Sequence, residues 1–446
     1  MSVPDQLVIL GNGFDLQCGL ASSFGEFEKP RKGLIEDLIE KHFTNQSRAG
    51  TLGELVTYPD DRQERREASL AADIWAAGIT VWDLILVADK QIRTWYDVEA
   101  CIRDWLMKHP ERGDQFRDQN NLRALKYQYA QYQKALIPGV HHNPDEIAII
   151  SHYSGDDYFN QMPVNEQVSK LLFKWYRCNA DDNSIMKAMM HELHRLEAAF
   201  LSYIKNEADG NVDYRKRAWS LLDSLMNDQL KDYDNKLTSN TYKIGWPNPA
   251  WISSKDVRIL DFNYTNPVYG EIFRPVLINI HGSIHGRDIV FGIDSNSVDS
   301  EDIDYSGLVK FTKTYRLMAL DKGPKVNLVC PHVSGHPGSE TDMIKFFGHS
   351  LGDPDYSYFQ AIFDEVNLYG SDTRLVFYYN QKRLNENKDD EKGKNTTSES
   401  AQEKMFEKVN RLITTYGQTL DNKDHGRNLM HKLLLENRLQ VVQAPV

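Results

Sequence analysis

The stretch Leu7-Val8-Ile9-Leu10-Gly11-Asn12-Gly13-Phe14-Asp15 is four apolar residues running straight into a Gly-Asn-Gly turn. A short continuous apolar run that ends in a turn signal reads as a strand buried on both faces, the kind found in parallel sheets. Glycine tolerates positive φ and places no Cβ between the backbone and a ligand. The amides of such a turn, and the N-terminus of a helix behind it, attract phosphate. The stretch therefore reads as the first element of a nucleotide-binding α/β sheet, with Gly11, Asn12 and Gly13 at the phosphate. The structural alternative is a tight strand-to-helix turn. Phe14 is then a packing plug, and Asp15 an early-helix acid favoured by the helix dipole.

Outward from this stretch the texture changes twice. Residues 14–29 read as a turn and helix stopped near Pro30. From 31 to 246 the apolar residues recur at helical spacing, as in Asp73–Leu86, Val98–Leu106, Val168–Tyr176, Met189–Ile204 and 214–231. Strand texture returns after Pro247 and Pro249 at Val257–Phe262, Val276–Ile280, Asp288–Gly292, Met343–Gly348 and Arg374–Tyr379, with a helix at 355–369. Residues 382–402 are charged and polar and read as a linker, followed by two amphipathic helices and a last strand at Arg438–Val442. Buried strands alternating with helices predict a mainly parallel, three-layer α/β sheet. Its core comprises residues 1–30 and 247–446, interrupted by an all-helical insertion over 31–246.

The 446 residues carry 26% charged and 41% apolar side chains, a balance that supports a packed core. A net charge of −12 disfavours binding to nucleic acid, whose phosphates need a basic surface. Cys18, Cys101, Cys178 and Cys330 are far apart, so no Cys-x-x-Cys metal knuckle or dense disulfide framework is present, and a reducing cytoplasm is expected. No signal-peptide pattern opens the chain, and no apolar run has the length of a membrane span, so no membrane partner is expected.

Four loops that follow candidate strands carry the chemistry. They are Gly11–Asp15, Asp261–Pro267, Ile280-His281-Gly282-Ser283 and Phe347-Gly348-His349-Ser350-Leu351-Gly352-Asp353-Pro354. Ligands of open α/β sheets bind outside the carboxyl ends of the strands. Each loop has a plain structural reading too. Asn263 could cap a turn before Pro267, His281 could be a satisfied core histidine, and Asp353-Pro354 reads as N-cap and N1 of a helix.

Taken in order, these motifs carry a resemblance. Gly11-Asn-Gly-Phe-Asp-Leu-x-x-Gly-Leu20 with Ser22-Ser-Phe-x-x-Phe27, Trp95-x-Asp97-x-Glu99, Phe262-Asn-Tyr-Thr265, Ile280-His-Gly282 and Gly348-His-Ser-Leu-x-x-Asp353 resemble the AbiH family of bacterial abortive-infection proteins. The same order is similar to the wider sirtuin-like superfamily, whose members bind NAD on a Rossmann-like sheet. The resemblance implies that Gly11–Gly13 holds the cofactor phosphates and that Gly282, Ser283, Gly348 and Ser350 contact NAD; Phe14, Asp15 and Asp353 are candidate NAD contacts beside their structural readings. It implies His281 and Asn263 as the catalytic pair. Three departures matter, one being that Asn12 and Phe14-Asp15 differ from the deacylase sequence. The four-cysteine zinc module of sirtuin deacylases is missing, and Thr265 stands where those enzymes have Asp. The resemblance therefore implies NAD hydrolysis at the nicotinamide ribosyl bond in antiphage defence, with no metal. It also implies restraint through a homo-oligomer, a regulatory partner or a phage-derived trigger. A nucleotide-binding sensor without turnover, or an enzyme of another nucleotide, are the alternatives.

Other polar residues read as structure. His191-Glu-Leu-His194 has its second histidine one residue early for a His-Glu-x-x-His zinc helix. His332 and His336 flank a Gly-Pro-rich loop. Trp95 with Asp97 and Glu99 reads as a buried ring with a structural carboxylate, the alternative being a lid over the cleft.

Overall fold

The computed structural model of the protein describes residues 5–43, 61–89, 92, 94–107, 125, 164–176, 182–228, 257–268, 275–286, 288–294, 307–318, 320, 327–330, 341–352, 355–380 and 401–445. Asp353 and Pro354, His332 and His336, Cys178 and the linker over 382–400 lie outside the described residues. The chain divides into two compact units, 1–22 with 204–287 and 320–446, and 23–203 with 288–319. The exchange of texture thus falls at 22/23 and 203/204, against the expected 30/31 and 246/247, and a second short piece, 288–319, joins the helical unit.

The first unit is built on six strands: β1 (Gln6–Leu10), β2 (Val257–Asp261), β3 (Val276–Asn279), β4 (Met343–Phe347), β5 (Arg374–Tyr379) and β6 (Leu439–Gln443). Their order is β3-β2-β1-β4-β5-β6 and every pairing is parallel. This is the strand order of Rossmann-like sheets, in which the direction of winding reverses between the first and fourth strands. Leu10 lies opposite Asp261 and Phe347, and Asp261 opposite Asn279. That register brings the loops that follow β1, β2, β3 and β4 to one edge.

The two faces of this sheet differ. On one, Leu7, Ile9, Leu260, Phe262, Ile344, Phe346, Leu375 and Phe377 form a continuous core with α10 (Tyr356–Glu365), α11 (Ala401–Thr419) and α12 (Lys423–Leu435). Burial of each such side chain is worth roughly 1.5–3 kcal/mol. On the other lies Lys345, fully buried in the middle of β4. Its Nζ donates to the carbonyls of Leu225, Met226 and Asp228 at 2.6, 3.3 and 2.8 Å. These end α8 (Val212–Asn227), so a cation meets the carbonyls that a helix leaves without intrahelical donors. Burial pulls the Lys345 pKa down to about 7, against an upward pull from Asp228. The segment expected at 214–231 is therefore helical but belongs to the sheet's unit and not to the insertion.

The second unit holds α2 (Phe24–Phe43), α3 (Asp61–Ala76), α4 (Val81–Ala88), α5 (Trp95–Leu106), α6 (Val164–Tyr176), most of α7 (Asp182–Ala208) and the short α9 (Lys313–Met318). Two expected boundaries are corrected. The expected helix over 14–29 is broken. A five-residue α1 (Gly13–Gln17) ends before Gly19, at φ 80, and a new helix starts behind Ser23, whose hydroxyl and Glu26 form a reciprocal cap. That helix then runs through Pro30 to Phe43, where a stop was expected. Asp73–Leu86 likewise breaks at Gly78 (φ 71), and α4 opens with a Thr80–Asp83 capping box.

Asp288–Gly292 is not a strand of the sheet. It runs within the second unit, where the Phe291 amide donates to Glu197 (2.7 Å) and the Phe291 carbonyl accepts from Arg316. Side chains supply what a neighbouring strand would have supplied. Phe291 and Phe200 enclose Trp95 with Phe24 and Phe27. Asp97 caps α5 through Thr94, and Glu99 pairs with the buried Lys313 at 2.8 Å. The Trp95 motif is thus structural in this unit. Among the described residues no single helix is long and apolar enough to cross a membrane.

Candidate functional site

The loops after β1 and β4 meet backbone to backbone. The amides of Gly11 and Gly13 donate to the carbonyls of Phe347 (3.0 Å) and Gly348 (2.8 Å), and the Phe14 amide donates to Gly11 (2.8 Å). A Cβ on Gly13 would lie 2.7 Å from the Gly348 Cα, and one on Gly348 (φ 72) would lie 2.4 Å from the Phe14 nitrogen. These glycines let two loops cross at the point where the winding of the sheet reverses. Asn12 turns its side chain to Ser22, accepting from Ser22 Oγ at 2.7 Å. Phe14 is fully buried edge-to-face against Phe347, the packing role among the two readings of this residue.

Asp15 is buried as well, and it anchors a polar web. It accepts from Tyr214 Oη at 2.7 Å and from Thr265 Oγ1 at 2.8 Å. Burial pushes its carboxyl up to about 6, although both hydroxyls oppose the shift. Asp261, at the end of β2, is pushed well above the ordinary carboxylate range by burial first and by the Asp15 charge second. Its Oδ1 accepts from the Asn263 amide at 2.9 Å, and its Oδ2 is buried with no hydrogen-bond partner. Asn263 donates from Nδ2 to the Gly11 carbonyl at 3.1 Å. Asn279, the last residue of β3, closes the web by donating to the carbonyls of Asn263 (2.8 Å) and Thr265 (2.7 Å).

A second group gathers around Phe262, whose ring meets those of His281, His349 and Tyr358 edge-on at 5.5, 4.5 and 5.6 Å. Asp355 stands between the histidines. Its Oδ1 lies 3.7 Å from His281 Nε2, and its Oδ2 lies 3.4 Å from His349 Nε2. Asp355 occupies the N-cap position of α10, yet its carboxylate makes no capping bond to the helix. His349 Nδ1 accepts from the Leu351 amide at 2.9 Å, with Leu351 at φ 55.

The residues expected from sequence are thus distributed over two groups. Gly11, Asn263 and Asp15 belong to the web, and His281 belongs to the Phe262 group. Gly282 (φ 93) shapes the turn behind His281, and Ser283 Oγ accepts from the Gly286 amide at 3.2 Å. Ser350 is exposed. Sequence reasoning missed Asp261, Asn279, Tyr214, His349 and Asp355. Asp261 and Asn279 carried a signal, because each is the polar last residue of an apolar strand. Tyr214 carried none, lying 199 residues from Asp15. Among the described residues no group of three or more His, Cys, Asp or Glu is arranged to hold a metal ion.

Strand order, the reversal at β1 and β4 and the polar loops at the carboxyl edge define an α/β protein of the Rossmann-like class. Within that class the chain belongs to the bacteriophage abortive infection AbiH family, whose sequence profile matches residues 7–379. A role in abortive infection of phage goes with that membership. No curated protein and no solved structure matches the chain.

Proposed function

We propose that the protein binds NAD along the carboxyl edge of its sheet, as sirtuin-like proteins do, and hydrolyses it to nicotinamide and ADP-ribose. The observation that carries this reading is His281, whose Nε2 lies 3.7 Å from the Asp355 carboxylate at the edge where sheets of this strand order take dinucleotides. Nicotinamide leaves as a neutral molecule from a cationic ring, so its departure needs no general acid. The bond from ribose C1′ to the ring nitrogen breaks with its electron pair going to nicotinamide, through an oxocarbenium-like transition state. A water oxygen bonds to C1′, and its proton passes to His281 and on to solvent. Asn263, fixed by Gly11 and Asp261, sets the walls against which the ribose is placed.

Hydrolysis of a cofactor shared by the whole cell needs restraint. Control by self-association, a partner protein or a phage product belongs to the proposal, as does action in the cytoplasm. A specific observation favours a second reading, a nucleotide sensor without turnover. The Gly11, Gly13 and Phe14 amides, the expected phosphate donors, are engaged by main-chain carbonyls. Chromatography of NAD, NADP and ATP incubated with the purified chain, with and without lysate of infected cells, separates the readings. Release of nicotinamide that His281→Ala abolishes is expected. Binding of NAD with no nicotinamide released under either condition selects the sensor.

A further inference from the structure

The sheet ends at β6, and two main-chain contacts fix the parity of its hydrogen bonds. The Leu375 amide donates to the Arg438 carbonyl at 2.7 Å, and the Ala444 amide donates to the Tyr379 carbonyl at 2.9 Å. With Leu375 opposite Leu439 and Tyr379 opposite Gln443, the residues of this segment that bond β5 are Arg438, Gln440, Val442 and Ala444. A residue in a strand points its N–H and C=O to the same side. Those of Leu439, Val441 and Gln443 therefore point away from the sheet. Among the described residues β6 pairs with β5 alone. The outward run is bounded at both ends. Asn437 turns the chain at φ 54 and spends its amide on the Leu434 carbonyl, and Pro445 has no amide hydrogen with which to continue the run.

We infer that this edge is an interface between two copies of the chain, in which β6 pairs antiparallel with β6 of the second copy about a two-fold axis at Val441. The outward groups are symmetric about that residue, so the strand is its own complement. Leu439 lies opposite Gln443 of the second copy, and Val441 opposite Val441. Each such pair exchanges two N–H···O=C bonds, so every N–H dipole of one edge meets a C=O dipole of the other. A register shifted by two residues leaves Leu439 or Gln443 unmatched, so the length of the run also fixes the register. Nothing along the edge repels a copy. Residues 439–443 carry no charge, and their pairing to β5 runs without a bulge, so two devices that commonly blunt an edge strand are missing. The Val441 side chain, half-buried against the core under α10, α11 and α12, meets its symmetry mate across the axis. Apolar surface lies close by in the chain, where Leu434 and Leu435 at the end of α12 are 56% and 88% exposed. The two sheets then form one continuous sheet whose carboxyl edges face opposite ways, so neither copy adds a residue to the candidate site of the other.

The test uses the full chain and no substrate, so it stands or fails apart from NAD hydrolysis. Sedimentation velocity over a concentration series is expected to show a monomer–dimer equilibrium. Val441→Pro removes an outward N–H and none that bonds β5, and an edge strand tolerates proline in that orientation. It is expected to weaken the dimer by about tenfold or more, since both bonds of the central pair are lost. Val441→Lys sets like charges opposite each other at the axis and is expected to weaken the dimer without altering the backbone. Val441→Cys is expected to cross-link to its copy under mild oxidation, because the Cα atoms of a hydrogen-bonded antiparallel pair lie about 5.5 Å apart, within disulfide reach. Wild type, with its own cysteines, is the control for that cross-link. A monomer at every concentration overturns the inference. A dimer that Val441→Pro and Val441→Lys both leave intact overturns the assignment to this edge. Melting curves show whether each variant is folded, and where the proline and lysine variants are not, the presence or absence of the Val441→Cys cross-link decides.

Discussion

The Asp15 web and the Asp355 group lie in the same unit and are built on opposite principles. In the web, bonds of 2.7–3.1 Å join Asp15, Tyr214, Thr265, Asn279, Asn263 and Gly11. Apart from the unpartnered Oδ2 of Asp261 the network is satisfied, and a buried polar network of that kind rigidifies what it joins. Around Asp355, three ionisable side chains are brought near one another at 3.4–3.7 Å, short of tight bonding. On the proposed reading the contrast separates framework from chemistry: the web fixes where the loops stand, and the looser group is the one that moves protons.

The sharpest way to break that comparison is to truncate one member of each. His281→Asn, which keeps much of the buried volume, is expected to lower NAD turnover by about 10²–10⁴-fold, the span of a lost general base, with little change in melting temperature. Asn263→Ala removes the donor to the Gly11 carbonyl and should lose both activity and stability, the latter by about 1–2 kcal/mol. Chemical denaturation beside the NAD assay reads both. Equal losses of stability in the two variants would erase the distinction between framework and chemistry.

Gly348→Ala probes the crossing at the reversal of winding. The added Cβ would meet the Phe14 nitrogen at 2.4 Å, and φ 72 strains any L side chain. A loss of about 3 kcal/mol is expected in denaturant melts, since backbone stands in the way and cannot rotate aside. Asn279→Ala should cost about 2 kcal/mol by the same measurement, because two loop carbonyls lose their donor at once. A neutral result at Asn279 would mean that water replaces the amide and that the web is looser than its distances imply.

The strands were legible because apolar residues accumulate in β1, β2, β3, β4 and β5, although Arg258 interrupts β2 and Lys345 interrupts β4. Asp288–Gly292 has the same local texture and is not a strand, because its partners are Glu197 and Arg316, remote in sequence. The break at Gly19 was carried by a single φ, and Pro30 was no barrier to a helix already underway. The site was legible to the extent that its residues sit directly after strands, as Asn263 and His281 do. Asp355 and Tyr214 are positioned by helices that pack on the sheet, and no local pattern encodes which carboxylate a given histidine will meet.

The pH dependence of Asp15 is the finest test of the web. Its carboxyl is moved from 3.8 to about 6, chiefly by burial, so the folded state prefers it protonated. The group's contribution to stability is complete below about pH 4 and is lost as pH rises through about 6. Such a displacement amounts to at most about 3 kcal/mol. Asp261 competes for the same protons and is itself raised by the Asp15 charge, so the separable effect is smaller, about 1–2 kcal/mol. Asp15→Asn keeps an oxygen for the Tyr214 and Thr265 hydroxyls and removes the charge. The variant should therefore match wild type near pH 4 and become progressively more stable than wild type between pH 4 and 7, in melts taken across that range. A stability difference that stays constant with pH would show that Asp15 carries no buried charge at neutral pH. The Tyr214 and Thr265 hydroxyls would then bond a neutral carboxyl, and not a carboxylate that they solvate.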